Sequence, residues 1–474
     1  MTSYYKTVIV IAIGQLINYG LPLLTFPLLI RAFDIDTYGY WIEANTLAQF
    51  AIVFGATGLG NALGALIVSK PDQESKLYSN ILFLYICLCT VLTIGMLVSA
   101  PILNTFTLRA SHGTALIRIV AMAIPIGSFN WLATQLFRLR KRATTGAVFD
   151  ILIALGRLLA VVFAFFSHDI LRFAWLYVIS QGIITMLQVW VAYKRIPLSQ
   201  LSQNTIKELI RASANISTIS QANWLVMFGD RLMLAILSTS SAVAIYSASY
   251  QISLILVALS WPFLYILLPS IGERWKLQDE LGIQQLIRKN IRIMFILLTP
   301  SVIGLGLIGD SLLRLLATKE FAQGGLLVGM IAAGVAIDNI GTNLQYLFFV
   351  QDRSHLLRPI YLSAAALNLI INLAAIPLFS YYGAGVTTFM TFAYILFRLQ
   401  KATQMPLATL FDRKTLGRCL ILCFPMGIWV WLTNSPSIIA LLVSIGGGAI
   451  IYGLGIFLLG VLKIQDVKQL GKHS

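Results

Sequence analysis

Fourteen long apolar runs, separated by short polar stretches, limit what this 474-residue chain can fold into. About 20 apolar residues suffice to cross a bilayer as a helix, and a backbone in lipid has to satisfy its own hydrogen bonds. The runs are rich in Leu, Ile and Ala and lack the alternation of a membrane β-barrel. We therefore predict an all-α polytopic membrane protein with about 14 transmembrane helices and almost no strand.

Composition supports this prediction, because 58% of the residues are hydrophobic and only 11% are charged. The predicted spans are residues 8–30, 40–68, 80–100, 114–137, 148–166, 173–193, 212–237, 243–269, 293–308, 324–350, 360–379, 384–397, 419–432 and 437–462. The longest polar stretches between them have the pattern of amphipathic surface helices. They are residues 197–211, 273–292 and 400–418.

Positive charge is concentrated on one side of this alternation. Of the 34 Lys and Arg residues, 26 lie on one side, five lie on the other and three lie within the runs. Cytoplasmic loops carry the excess of Lys and Arg, so both termini are predicted to lie in the cytoplasm. The first run is too long and too polar for a cleavable signal peptide, and we predict that it remains as a span.

Several kinds of chemistry do not fit the sequence. The net charge of +16 is spread over many short loops, unlike the basic patch of a nucleic-acid-binding protein. The four cysteines lie in or at the ends of apolar runs and the four histidines are scattered, so we expect neither disulfides nor a metal site. Walker-type glycine loops and paired carboxylates are absent from the sequence. We expect a protein that is not an enzyme and has no cofactor.

A weak internal duplication, with an offset of about 210 residues, relates Asn130 and Arg142 to Asn343 and Arg353. Six spans in each half give both halves the same orientation. The halves are therefore expected to be six-helix lobes related by a pseudo-twofold axis along the membrane normal, with a cavity between them. The predicted domains are residues 1–200 (N-terminal lobe, spans 1–6), 201–411 (C-terminal lobe, spans 7–12) and 412–474 (two extra C-terminal helices and a cytoplasmic tail).

Polar side chains at helical spacing within the spans are candidates for lining a cavity, because polar groups are costly in lipid. In the first span, Gln15 and Asn18 belong to one continuous face. In the seventh, Asn223 and Asp230 lie on one stripe and Arg231 lies on the next. We assign Gln15, Asn18, Asn223 and Arg231 to substrate binding, and Asp230 to ion coupling or an ion pair. For any single residue, a helix–helix contact held by polar groups is the alternative.

Arg157 in the fifth span is the strongest single candidate for substrate binding. A guanidinium near the middle of the membrane cannot easily reach either surface. Asp150 lies seven residues earlier on the same face. The alternative is that Arg157 forms a structural ion pair with Asp230 or Asp338.

Further polar residues lie in the tenth and second spans. Asn339 and Asn343 in the tenth span are assigned to substrate binding, and Asp338 is assigned to ion coupling or an ion pair. Glu43 lies nearer the outer end of the second span, where we expect its carboxylate to snorkel to the interface. The neighbouring Trp41 is predicted to belong to the aromatic belt.

Three sets of short motifs are spread over nearly the whole chain. The sequence PLLIRAFD at residues 27–34 is followed by TYG at residues 37–39. GDR occupies residues 229–231 and IYS residues 245–247, and GAGV occupies residues 383–386. These motifs resemble the exit from the first span, the seventh-span motif and the turn into the twelfth span of polysaccharide flippases of the O-antigen (Wzx) type. The resemblance implies the multidrug/oligosaccharidyl-lipid/polysaccharide (MOP) superfamily, with two six-helix lobes and alternating access.

The resemblance also implies a cargo, an undecaprenyl-pyrophosphate-linked oligosaccharide such as an O-antigen repeat of lipopolysaccharide. It would move from the cytoplasmic to the periplasmic leaflet of the bacterial inner membrane. Arg157 and Arg231 suit this cargo, because a pyrophosphate that leaves water needs fixed donors. The expected partners are the lipid-linked substrate and membrane lipids, without nucleic acid. Coupling to H⁺ or Na⁺ and contacts with polysaccharide-assembly proteins are left open.

Three other functions are kept as alternatives. A multidrug antiporter of the same superfamily is expected to have an acidic cavity, which Arg157 and Arg231 disfavour. A membrane glycan polymerase or ligase keeps its active site in a long external loop, whereas the outer loops here are short. The third alternative is a structural protein of an envelope assembly that transports nothing.

The predicted orientation can be tested with reporter fusions. Fusions at Gln200 and Gln278 are expected to report the cytoplasm, and fusions at Ser111 and Ser240 the periplasm, because Lys and Arg concentrate on the first side. The measurement is the activity of paired reporters that are active on opposite sides of the membrane. A reversed result at two of the four positions would contradict the fourteen-span map.

Overall fold

A computed structural model of this chain describes residues 25–55, 57–140, 142–194, 201–405 and 412–460. Within these residues the fold is all-α and contains no strand, which confirms the predicted class. Eleven helical segments of the described part are long and apolar enough to cross a membrane. The protein is therefore a multi-pass membrane protein.

Contacts within the chain divide it into two compact units, Met1–Ala244 and Ile245–Ser474. Residues 25–32 of the first unit are helical. The helices that follow in this unit are α1 (Ile35–Gly55), α2 (Thr57–Ser69), α3 (Glu74–Phe106), α4 (Gly113–Ala121), α5 (Ala123–Leu139), α6 (Ala143–Ser167), α7 (Ile170–Tyr193) and α8 (Gln203–Leu237). The next helix, α9 (Ser240–Ser253), crosses the division between the units.

In the described residues of the second unit, six further α-helices follow α9. They are α10 (Ile255–Lys276), α11 (Glu280–Leu316), α12 (Gly325–Val350), α13 (Leu357–Thr403), α14 (Arg413–Thr433) and α15 (Ile438–Leu458). Helix α12 packs between α11 and α13, and α14 and α15 pack against each other and against α11. The two C-terminal helices thus pack on the second unit through α11.

Four of the fourteen predicted spans differ from a simple apolar helix. Most of the first span lies outside the described residues. The seventh is present as α8, whose polar stripes make it less apolar than the other spans. The eleventh and twelfth are joined in α13, in which Ser380 breaks the helix with a φ of 51°.

Two of the predicted amphipathic surface helices are instead the beginnings of spanning helices. Helix α11 runs without a break through 37 residues from Glu280 to Leu316. Its length is about 55 Å, well beyond the ~30 Å hydrocarbon core. Residues 203–211 begin α8 in the same way. Extending an existing helix costs less than nucleating a new one, which explains why these stretches did not become separate helices.

Side-chain caps define where several helices begin. The carboxylate of Asp169 accepts hydrogen bonds from the backbone N–H groups of Leu171 and Arg172 at the start of α7. Asp279 and Asp412 cap α11 and α14 in the same manner. These carboxylates satisfy donors that have no partner within the helix.

Helix α8 packs within the first unit along its length, against α1, α2 and α3. Contacts near its two ends and its middle join Lys70 to Glu208 (2.5 Å), Gln221 to the carbonyl of Phe54 (3.2 Å) and Arg109 to the carbonyl of Ile236 (2.9 Å). The contacts divide the chain after Ala244, whereas the internal duplication predicts a boundary after residue 200. The two divisions use different criteria, so the first does not test the second. The repeat boundary at residues 200 and 201 therefore stays a prediction.

The crossing of α11 and α12 depends on glycine at Gly329. A Cβ atom there would lie 2.7 Å from the Cα of Gly306, whereas one at Gly304 of α11 would meet nothing within 4 Å. We expect Gly329→Ala to lower the free energy of unfolding by about 1–3 kcal/mol, because two backbones would have to separate. The measurement is thermal stability in detergent, with Gly304→Ala as the matched control. Equal stability of the two variants would contradict this account of the crossing.

Candidate functional site

A polar cavity of about 300 Å³ lies in the first unit between α1, α5, α6 and α7. Arg157 of α6 lines it. The other polar side chains of its lining are Asn45, Gln49, Asn130, Trp131, Tyr177, Gln181 and Thr185. A concave site with a few converging polar groups is the usual form of a binding pocket for a small ligand.

Helical spacing explains how the lining residues of α1 and α7 come together. Asn45 and Gln49 are four residues apart on α1, and Gln181 and Thr185 are four residues apart on α7. Residues at this spacing share one face of a helix. None of the four was assigned to the site from the sequence. Their i, i+4 pairing within otherwise apolar spans is the signal that could have found them.

The residues that line the cavity differ in their hydrogen bonds. One of them bonds to a neighbouring helix, and two others have polar groups without a partner among the described residues. Gln181 is 6% exposed, and its amide donates to the carbonyl of Ile153 on α6 at 3.2 Å. By contrast, the Trp131 indole N–H and the Thr185 hydroxyl are buried without a hydrogen-bond partner among the described residues. Buried polar groups are almost always satisfied, so these two groups can serve a ligand or water.

The charge of the cavity comes from Arg157. Asp150, the single acidic residue of the same helix, interacts electrostatically with it, as the shared face predicts. Among the described residues, no ion pair joins Arg157 to Asp230. Arg157 is exposed and is one of the residues that line the cavity.

The candidate residues of α8 do not line this cavity. Asp230 is fully buried and Arg231 is 8% exposed. Arg231 donates to the carbonyl of Met227 at 3.0 Å, and its guanidinium carbon lies 4.9 Å from the ring centre of Phe228. Asp230 and Arg231 both make further contacts. The amide nitrogen of Asn223 lies 3.8 Å from the Met227 sulfur. The contacts of Arg231 and Asn223 named above lie within α8 itself, and the roles of the three candidates in transport stay predictions.

The candidate residues of α12 belong to the second unit. The fully buried Asn343 donates to the carbonyl of Asn339 at 3.0 Å and accepts from the amide of Asn290 on α11 at 2.5 Å. Asn339 is 5% exposed and donates to the carbonyl four residues earlier. Asp338 interacts electrostatically with Tyr361 of α13. Asn343 thus joins two helices, whereas Asn339 bonds within its own helix, and binding of substrate by any of the three residues stays a prediction.

Predictions for the first two spans have different outcomes. Gln15 and Asn18 lie outside the described residues, so their assignment stays a prediction. The snorkelling predicted for Glu43 is wrong, because this residue is only 1% exposed. Trp41 is 4% exposed and packs on Phe173 of α7 at 4.6 Å between ring centres, so the belt prediction is wrong as well. Neighbouring helices cover this part of α1, a packing effect that is invisible in one sequence.

Comparison with known protein sequences gives two matches. A family described as polysaccharide biosynthesis protein matches residues 4–275, more than half of the chain. The succinoglycan biosynthesis transport protein ExoT of Rhizobium meliloti (strain 1021) is 23% identical over 324 residues. This alignment covers 68% of the present chain and 64% of ExoT, which is less than two thirds of that relative.

Comparison with solved structures identifies the fold. The lipid II flippase MurJ in an inward closed conformation has a TM-score of 0.82 at 12% identity, covering 96% of this chain and all of MurJ. An inward-facing MATE family multidrug resistance transporter of the MOP superfamily has a TM-score of 0.65 at 11% identity, covering 84% of this chain and 99% of that one. At these identities the likeness shows the fold alone. With the family match over residues 4–275, it follows that the chain belongs to the polysaccharide biosynthesis protein family and has the fold of MOP-superfamily transporters.

Proposed function

We propose that this protein is a flippase for an undecaprenyl-pyrophosphate-linked oligosaccharide, the repeat unit of O-antigen or of a related polysaccharide. It would carry this lipid-linked substrate from the cytoplasmic to the periplasmic leaflet of the bacterial inner membrane by alternating access, with both termini in the cytoplasm. Membership in the polysaccharide biosynthesis protein family supports the class of cargo. The names of ExoT as a transport protein and of MurJ as a lipid II flippase support the type of activity.

The observation that carries the proposal is the polar cavity around Arg157. A guanidinium binds two phosphate oxygens through parallel N–H bonds, so Arg157 would hold the pyrophosphate. The amides of Asn45, Gln49 and Asn130 can each donate and accept, which suits the hydroxyl groups of a sugar. The cavity therefore provides one fixed charge for the head group and neutral groups for the glycan.

The membrane potential favours the export of an anion from the cytoplasm. With the cytoplasm negative, outward movement of a dianion is favoured by up to about 4.6 kcal/mol per 100 mV. Coupling to H⁺ or Na⁺ through Asp230 or Asp338 would add a second driving force. Arg231 would provide a second positive charge for the head group during transport.

The cavity disfavours a multidrug antiporter that takes up cationic drugs. Such a site needs a negative charge to replace the hydration of the cation. The residues that line the cavity in the described part of the chain include Arg157 but neither Asp nor Glu.

Loss of the protein is expected to trap the substrate on the cytoplasmic leaflet. The measurement is digestion of the lipid-linked glycan by an impermeant glycosidase, in inside-out and right-side-out vesicles from a deletion strain. The glycan should accumulate and become accessible mainly in inside-out vesicles. A fall in total lipid-linked glycan, without accumulation, would indicate a polymerising or synthetic role and would contradict the proposal.

Arg157→Ala is expected to lower export by about 10- to 100-fold, because a charge-assisted bond contributes about 1.5–3 kcal/mol. Arg157→Lys should retain part of the activity, since the charge remains but the planar fork is lost. Arg172→Ala is the matched control. Arg172 is 74% exposed and pairs with Asp169 outside the cavity, so export should be normal. Normal export by Arg157→Ala at wild-type membrane abundance would show that the cavity is not the substrate site.

A further inference from the structure

One stripe of α1 meets the turn between α8 and α9, residues 238–241. Asp36, Gly39 and Glu43 lie at positions i, i+3 and i+7, so they share a face of the helix. The carboxylate of Asp36 accepts a hydrogen bond from the hydroxyl of Ser241 at 2.5 Å. At Gly39 a Cβ atom would collide with the backbone carbonyl of Ser240, so the two backbones are in direct contact. The stripe and the turn therefore form one tight contact, at the predicted outer end of α1.

Glu43 is the buried member of this stripe. It is 1% exposed, and neither of its carboxyl oxygens has a hydrogen-bond partner among the described residues. The Ser240 hydroxyl lies close to it without meeting hydrogen-bond geometry. Glu43 lies eight residues after the start of α1, about 12 Å along the helix axis, so it is well inside the helix.

Two charged groups act on Glu43, and among the described residues neither forms an ion pair with it. They are Asp36 on the same helix, which repels it, and Arg109 after α3, which attracts it. The Arg109 guanidinium is already engaged by the backbone carbonyls of Ile236 (2.9 Å) and Phe106 (3.4 Å). Tyr40, also on α1, interacts electrostatically with Glu43 as well.

Burial of an ionised carboxylate without donors is costly, whereas a protonated carboxyl group tolerates the same site far better. We propose that Glu43 is a proton-binding residue whose protonated carboxyl group holds α1 against the α8–α9 turn. The proton comes from water when the O–H bond forms and returns to water when the group ionises. Ionisation places an uncompensated charge in the contact, so the stripe and the turn separate and water enters. This inference does not depend on the identity of any transported cargo.

The accessibility of a thiol at Ser240 tests the proposal. The purified protein carrying Ser240→Cys is labelled with an impermeant charged maleimide between about pH 5.5 and pH 8.5, without substrate. Labelling is expressed relative to Ser111→Cys, an exposed position, which corrects for the ionisation of the thiol. We expect the corrected labelling rate to rise with pH, by up to about tenfold per pH unit where Glu43 titrates.

Variants of Glu43 provide the second part of the labelling experiment. In Glu43→Gln and Glu43→Leu the contact should stay closed, so labelling at Ser240→Cys should be low and independent of pH. Glu320→Gln makes the same chemical change at an exposed residue of the second unit and should leave the pH dependence intact. Membrane abundance is measured for each variant.

Three outcomes would overturn the proposal. The first is corrected labelling of Ser240→Cys that does not change with pH, which can be established even if the Glu43 variants fail to fold. The second is a pH profile that is the same with and without Glu43. The third is labelling that responds to Na⁺ at constant pH and not to pH at constant Na⁺, which would make Glu43 a metal-cation ligand. None of these results measures glycan export, so they leave the flippase proposal untested, and that proposal is tested by the export experiments alone.

Discussion

Lipid offers no hydrogen bonds, and the rest of this structure depends on that constraint. The backbone meets it by forming helices, and many buried polar side chains meet it by finding a partner in the protein. Asn290 and Asn343 do so by pairing between α11 and α12. Trp131 and Thr185 have no partner among the described residues, and both line the cavity that contains Arg157. Two of the unpartnered buried groups thus belong to residues that line the cavity.

The same constraint explains how a span as polar as α8 is tolerated. Its polar residues face other helices of the first unit instead of lipid, and contacts such as Gln221 with the carbonyl of Phe54 satisfy them. The burial of Asp230 and Arg231 follows from this packing.

The two functional candidates of the first unit, Arg157 and Glu43, lie in different environments. Arg157 is exposed and lines a cavity that neutral amides also line. Glu43 is enclosed, and a charge there has no donor among the described residues. A fixed charge that stays ionised suits the binding of an anion, whereas a group that is stable only when neutral suits the binding and release of a proton. The proposed functions of the two residues rest on this difference in environment.

The sequence by itself determined the helical class, because run length, composition and the absence of alternation admit no other membrane fold. It also determined that Arg157 is unusual, because a charge near mid-membrane is costly wherever the helix packs. Which polar stripes line a cavity was decided only by tertiary structure. The i, i+4 spacing of Asn45 and Gln49 is the same whether the stripe faces a cavity or a neighbouring helix. Likewise, Glu43 is buried because other segments cover α1, and the contacts that cover it join residues some 200 positions apart in the chain.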